Sequence, residues 1–326
     1  MQRMQLDVAL FGAAGYAGLE LAKLLALHPQ VRLACAASDT HAGRRIEEMT
    51  GRDHGVREFV TTGDARAVAG DCAIALLAVP PEPAANLVAA LRERTKLVDL
   101  SHAHRGTAGA VYGLTSLFAA EIATASLVAN PGCYATAAIT AAAPLVQHGL
   151  VDGDITICAG SGVTGAGRSA EEMLSLGELY GDVRAYRVLR HQHVPEIEAA
   201  LGRLTPPTPR VTLITHLLPI ARGIFATLTA QLSRTISTAQ ILELFRADYA
   251  DDPTVTIVNT AEDVSLRRVV GTNQCMIGVA SDDRQVVVIA ALDNLLKGAA
   301  GQAIENMNVM LGLPRMAGLA HLSRHA

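Results

Sequence analysis

The sequence predicts an α/β chain of two domains. Apolar, strand-like runs alternate with helix-like ones from Gln5 to Leu100, as in a parallel sheet with crossover helices. A glycine-rich turn, Gly12-Ala13-Ala14-Gly15-Tyr16-Ala17-Gly18, separates the first strand from the first helix. Past about residue 150 the strands lengthen, gain Val, Ile and Thr, and have fewer helices between them. The first region reads as a Rossmann-type dinucleotide-binding domain. The second reads as an α+β domain with a mixed or antiparallel sheet.

Each element has a local reason. Gln5–Phe11 alternates and ends apolar, as a buried strand does. Leu19–Leu27 has helical spacing and good helix formers, and His28-Pro29 stops it. Val31–Ala36 and Ala73–Val79 follow as strands, the latter closed by Pro80-Pro81. Leu87–Leu91 reads as helix, Leu97–Leu100 as a short strand, and Ala135–Ala143 as an Ala-rich helix. In the second region Asp154–Ala159, Val211–Leu217, Ile224–Leu232, Cys275–Ala280 and Gln285–Ala291 read as strands, and Ala239–Tyr249 as helix. Leu295–Leu311 is a terminal helix expected to pack back on the first domain.

Composition excludes several classes. The 326 residues suffice for about two cores, and 50% hydrophobic content excludes a disordered chain. Trp is absent and aromatics are few, so Ala, Val, Leu and Ile must fill the interior. The net charge is −4 with no basic block, which argues against a nucleic-acid partner. The N-terminus runs directly into a strand, and no apolar run is long enough to span a bilayer. A cytoplasmic protein with no membrane partner is expected. Five scattered cysteines without a C-x-x-C pair argue against a disulfide framework or a Cys-rich zinc site.

The glycine turn follows a strand and opens a helix, the context in which glycines let backbone approach a pyrophosphate. An acid about 20 residues on usually holds the ribose of NAD, whereas an Arg suits the 2′-phosphate of NADP. The second strand ends at Ser38-Asp39 with Arg44 and Arg45 close behind, so residues for both are present.

Cys133 lies in Asn130-Pro131-Gly132-Cys133-Tyr134-Ala135-Thr136, directly before the Ala-rich helix. The Pro-Gly turn delivers the thiol to the helix start, where free N–H groups and the dipole favour thiolate. A thiolate attacking a carbonyl needs a proton-transfer partner. Arg190-His191-Gln192-His193-Val194-Pro195-Glu196-Ile197 offers two imidazoles, which share a direction if the segment is extended. That spacing, repeated in His102-x-His104, also suits a metal, but no third ligand matches and none is expected. Anion-binding candidates are Ser161-Gly162-Val163-Thr164-Gly165-Ala166-Gly167-Arg168 and Arg222 of Leu218–Ile224. Asn294, in Asp293–Gly298, is placed to meet a nicotinamide carboxamide or, with Asp293, to cap the terminal helix.

These motifs resemble the N-acetyl-γ-glutamyl-phosphate reductases, relatives of the aspartate-semialdehyde dehydrogenases. The resemblance runs through Gly12–Leu21, Leu97-Val98-Asp99-Leu100-Ser101, Tyr112-Gly113-Leu114, Asn130–Thr136, Ser161–Arg168, His191–Ile197, Arg222-Gly223-Ile224, Gly271-Thr272-Asn273 and Asp293–Gly298. It implies a dinucleotide-binding domain over 1–132, with 295–326 packing back on it, and a catalytic, substrate and dimerisation domain over 133–294. It implies Cys133 as nucleophile, His191 or His193 as acid–base, and NADP(H) as cofactor. Gly12, Ala14, Gly15, Tyr16, Ala17, Gly18, Ser38, Arg44, Gly165 and Asn294 are then expected at the cofactor. Arg105, Asn130, Ser161, Arg168 and Arg222 are expected at the substrate. The implied partners are an acyl phosphate or semialdehyde, phosphate, and further copies of the chain in a dimer or tetramer. The chain departs from the family pattern where Leu-Ser-Ala-Asp-Phe-Arg becomes Leu100-Ser101-His102-Ala103-His104-Arg105, and where Pro-His-Gly becomes Pro80-Pro81-Glu82.

Overall fold

The computed structural model describes residues 5–168 and 176–322. The ranges expected for the two ends, 1–132 and 295–326, extend past those limits at 1–4 and 323–326. The chain divides into two compact units, Met1–Gly132 with Ala299–His321, and Cys133–Gly298 with Leu322–Ala326.

In the first unit β1 (Leu6–Phe11) leads through the glycine turn to α1 (Tyr16–Ala26) and β2 (Val31–Ala37). Then come α2 (Glu47–Thr50), α3 (Thr62–Ala69), β3 (Ile74–Leu77), α4 (Pro81–Leu91) and β4 (Lys96–Asp99). The short β5 (Val111–Tyr112), α5 (Thr115–Thr124) and β6 (Leu127–Ala129) complete the run. All six strands are parallel, in the order β2-β1-β3-β4-β6-β5. The order reverses beside β1, so the glycine turn sits at the switch point, where α/β sheets bind ligands. Ala9, Phe11, Ala75, Leu77 and Leu97 of the sheet pack with Ala65, Leu87, Val88 and Leu91 of the helices.

The start of α4 differs from the sequence reading. Pro81 opens α4 rather than closing the preceding strand. Proline is well suited to a first helical turn, where its missing N–H has no partner to lose.

The second unit starts with α6 (Cys133–Gln147), whose residues Tyr134–Val146 are all buried. Alanine gives this stretch its helix propensity and lets it lie close on the neighbouring sheet. There follow β7 (Val151–Ser161), a 3₁₀ turn (Val163–Ala166), α7 (Leu176–Leu179), β8 (Arg184–Tyr186) and α8 (His193–Gly202). β9 (Val211–Leu217), β10 (Ile224–Leu232), α9 (Thr238–Asp248), β11 (Val255–Ile257), β12 (Cys275–Ser281) and β13 (Gln285–Leu292) complete a seven-stranded sheet. Its order is β11-β12-β13-β10-β7-β9-β8. It is mixed: β11–β12 and β7–β9 pair in parallel, the other neighbours antiparallel.

The expected terminal helix is in two parts. Leu296–Ala300 is a π turn, and α10 (Gly301–Met310) continues from it within the first unit.

Candidate active site

The three glycines of the first turn, Gly12, Gly15 and Gly18, have three different reasons. Gly12 has φ +73°, and a Cβ there would strike the Ala78 carbonyl. A Cβ on Gly18 would strike the Gly12 carbonyl, so this glycine lets α1 close on the turn. Gly15 has an ordinary extended φ of −72°, and its Cβ would meet only Gly12 O at 3.5 Å. Nothing among the described residues demands glycine there. The bare backbone at the start of α1 fits close approach by a phosphate group, which a Cβ would hinder.

Beyond β2, Asp39 accepts hydrogen bonds from Thr62 N (2.7 Å) and Thr62 Oγ1 (2.8 Å). These bonds hold its carboxyl below the usual range. Asp39 thus ties down the first turn of α3. Ser38 is buried, with Oγ 3.4 Å from Thr40 Oγ1. Arg45 pairs with Glu47 (2.7 Å), whereas the Arg44 side chain is exposed.

In the second unit Cys133 is the first residue of α6 and half-buried. The five cysteines sort themselves by environment. Cys35, Cys72 and Cys275 are buried. Burial raises all three thiols, Cys72 and Cys275 to about 12. Such thiols are poor nucleophiles. Cys158 is exposed, with Sγ 3.8 Å from His216 Nδ1. Gly298, in the π turn, lies against the nucleophile candidate: a Cβ there would come within 2.8 Å of Cys133 Cβ.

The histidine pair is near Tyr134, the next residue after Cys133. The expected extended segment is absent, because His193 is already the first residue of α8. The two rings nevertheless meet, with centroids 4.7 Å apart, and both pack near Tyr134 (5.4 and 6.1 Å). His193 N donates to His191 Nδ1 (3.2 Å), so a neutral His191 carries its proton on Nε2. Burial, and then Arg187, lower His191 to about 4. His191 is therefore neutral at pH 7 and presents an N–H. His193 Nε2 is 4.0 Å from Glu196 Oε2, one turn along α8. Tyr186 Oη donates to Tyr134 Oη (3.1 Å), which donates to the His216 carbonyl (3.1 Å). Burial raises both phenols, Tyr186 to about 12, so both stay protonated.

Tyr134, Arg187, Tyr186, Glu196 and His216 are further residues of this candidate cluster, not found from sequence. Tyr134 and Glu196 lie inside motifs already singled out, and that adjacency was the available signal. Arg187 and Leu189 have positive φ (48° and 58°), a conformation uncommon for such side chains. The loop before His191 is thus held in a strained shape.

The remaining candidates are tied into the framework. Arg105 Nε donates to Asn130 O (2.9 Å) and Nη2 to Leu100 O (3.0 Å). His104 of the altered segment donates from Nδ1 to Asp99 Oδ2 (2.6 Å), which also accepts from Ser101 Oγ. Arg222 pairs with buried Asp293 (3.0 Å), whose Oδ1 also caps Leu295 N (2.8 Å) and Leu296 N (3.1 Å). Asn294 accepts from Gly223 N (2.7 Å) and donates to Thr164 Oγ1 (3.0 Å). It staples the 3₁₀ turn to the Arg222 turn, and its amide is taken up by that work. A Cβ on Gly165 would come 2.8 Å from buried Ser161 Oγ. Ser161, Gly165, Arg222 and Asn294 therefore form one cluster, and Arg168 is exposed beyond it.

Among the described residues no helix is long and apolar enough to cross a membrane. Comparison with known proteins gives a consistent result. Residues 7–125 match the model of the semialdehyde dehydrogenase NAD binding domain, and residues 133–294 that of the semialdehyde dehydrogenase dimerisation domain. The chain is 38% identical to a Bacillus cereus protein named N-acetyl-gamma-glutamyl-phosphate reductase, over 97% of this chain and 99% of that one. A Bacillus anthracis protein of the same name is 37% identical over the same shares. Among solved structures, aspartate semialdehyde dehydrogenase II from Vibrio cholerae superimposes with a TM-score of 0.77 at 16% identity, covering 95% of this chain and 99% of that one. The Candida albicans aspartate semialdehyde dehydrogenase with NADP gives 0.70 at 13% identity, covering 94% and 99%. These structural likenesses speak for the fold.

Proposed function

We propose, because the chain belongs to the N-acetyl-γ-glutamyl-phosphate reductase family, that it reduces N-acetyl-γ-glutamyl phosphate to the semialdehyde and phosphate in arginine biosynthesis. One observation carries the chemistry: a half-buried cysteine opens a helix, and the tyrosine next to it packs against two histidines. In this reading Met1–Gly132 with the returning helix is the dinucleotide-binding domain, and Cys133–Asn294 the catalytic and dimerisation domain.

His193, backed by Glu196, takes the Cys133 proton, and the carboxylate stabilises the imidazolium that forms. The thiolate attacks the acyl carbon; the C–S bond forms as the bond to phosphate breaks, leaving a thioester. NADP(H), held on Gly12, Ala14, Gly15, Tyr16, Ala17 and Gly18 with Arg44 toward the 2′-phosphate, supplies the hydride when bound. His191 donates from Nε2 to the oxygen that becomes negative as the thioester carbonyl is reduced. His193 returns a proton to that oxygen. Collapse of the hemithioacetal moves it back to the base, breaks C–S and releases the aldehyde. Arg168 and Arg222 beside Ser161 and Gly165, and Arg105 in its own unit, are the cations for substrate anions.

We also read the protein as a cytoplasmic homo-oligomer, a dimer or tetramer. Supporting the oligomer is the match to a dimerisation domain. The deciding assay runs in reverse, with N-acetylglutamate semialdehyde, phosphate and NADP. Phosphate-dependent rise in reduced-nicotinamide absorbance, lost in Cys133→Ser, is the expected result. Turnover of aspartate semialdehyde in its place would overturn the substrate.

A further inference from the structure

Asn130 stands three residues before the nucleophile and looks, from sequence, like a substrate contact. In the first unit all its hydrogen-bonding groups are already bonded. Its N–H donates to Asp99 O (2.8 Å), and its carbonyl accepts from Arg105 Nε (2.9 Å). Its Nδ2 reaches Ala299 O (3.3 Å) and Pro131 O (3.4 Å). Its Oδ1 accepts from Asn306 Nδ2 (2.9 Å), on α10.

Asn306 is fully buried and sits against Gly113, where a Cβ would collide with its amide. Gly113 carries no positive φ, so the Tyr112-Gly113-Leu114 motif is explained by room for Asn306. The same face of α10 grips this segment twice more. Gln302 Nε2 donates to Gly113 O (3.0 Å) and Thr115 Oγ1 (3.0 Å). Glu305 accepts from Thr115 Oγ1 (2.6 Å) and pairs with Arg315 (2.7 Å). Gln302, Glu305 and Asn306 are all fully buried, and Gln302 Oε1 and Asn306 Oδ1 have no hydrogen-bond partner. A partly satisfied polar network of this kind stabilises less than apolar packing of the same shape. Its gain is geometric: hydrogen bonds fix one arrangement, where apolar contacts allow several.

We propose that Asn306 is a positioning residue for catalysis. Through Asn130 it fixes the Asn130-Pro131-Gly132 turn from which the chain enters Cys133. The inference rests on the thioester reading above. It adds a role for a helix that sequence analysis credited only with packing.

The test uses Asn306→Leu, which keeps the branch at Cγ and removes the donor, in the full-length protein. Three quantities are read: kcat and KM in the reverse assay, NADP Kd, and the rate of Cys133 alkylation by iodoacetamide against pH, followed on the Cys133 peptide by mass spectrometry. Expected are a kcat loss of about 100-fold, slower alkylation of Cys133, and an NADP Kd within about twofold. Loss of thermal stability with kcat and alkylation unchanged would overturn the proposal, leaving Asn306 a structural residue. Should that variant fail to fold, Asn130→Ala and Asn306→Ser are combined in a double-mutant cycle on kcat. Non-additive losses are expected, and additive ones refute the coupling. Alkylation needs no substrate, so the two readings fail separately. An inactive parent whose Cys133 still responds to Asn306 rejects the reaction but keeps the positioning role.

Discussion

The glycine turn and the Cys133 cluster solve their problems at different ranges. Gly12, Gly15 and Gly18 lie within one short stretch, and two of them are fixed by sterics with backbone nearby. The cluster gathers residues 133, 134, 186, 191, 193 and 216. It exists because β8 pairs with β9, setting Ala185 opposite His216 and Tyr186 opposite Thr215. A local site can be inferred from chain sterics, whereas a non-local one depends on register. The two should also fail differently when altered.

The largest expected effect falls on the cluster. Cys133→Ser should lose roughly 10⁴-fold or more in kcat while its NADP Kd, by fluorescence titration, stays near the parent value. Retained turnover would remove the thioester from the mechanism. His193→Asn should lose about 100-fold or more in kcat, and His191→Asn about 10-fold to 100-fold. Reversed sizes would exchange the base and the hydrogen-bond donor.

The glycine turn should divide within itself. Gly18→Ala must move α1 off the turn, costing about 1–3 kcal/mol in a denaturant melt. Gly15→Ala should fold as the parent does and raise NADP Kd by about tenfold or more, because its Cβ hinders only a ligand. Equal melts and equal affinities for the two variants would erase the distinction drawn here. A smaller shift is expected from Arg44→Ala, which should reduce the NADP over NAD preference by about tenfold, read as a ratio of kcat/KM values. An unchanged ratio would clear Arg44 of contact with the 2′-phosphate.

The mildest effect is on pH dependence. His191 is lowered to about 4 in the fold, against an ordinary value of 6.5. The unfolded chain therefore binds this proton first. The stability His191 contributes is full above 6.5 and is lost as pH falls from 6.5 toward about 4. His191→Asn should flatten the melting-temperature profile across that window, and an unchanged slope would assign the acid sensitivity elsewhere.

What could be read from sequence follows the same division. β9 and β10 have the ranges that alternation predicts, because each strand buries one face and exposes the other more. β5 and β6 were not anticipated, since strands of two or three residues carry no period. Cys133 could be placed at a helix start from Pro131-Gly132 and the alanines alone. Its aromatic neighbours could not, because Tyr186 and His216 arrive by strand pairing. Asn294 and Asn130 have the residue type of ligand contacts, yet each amide bonds within the fold. Nothing in the spacing of residues 130 and 306 announces that they meet.

Residues 133–298 form an unbroken stretch, but the first unit is assembled from both ends of the chain around it. During synthesis every residue of that inner stretch is added before Asn306. A nascent chain ending at Gly298 would already hold every residue of the thiol helix and its strands, while Asn130 still lacked its partner 176 residues away. The first unit to begin is thus the last to be finished, and the nucleophile is made long before it is aimed.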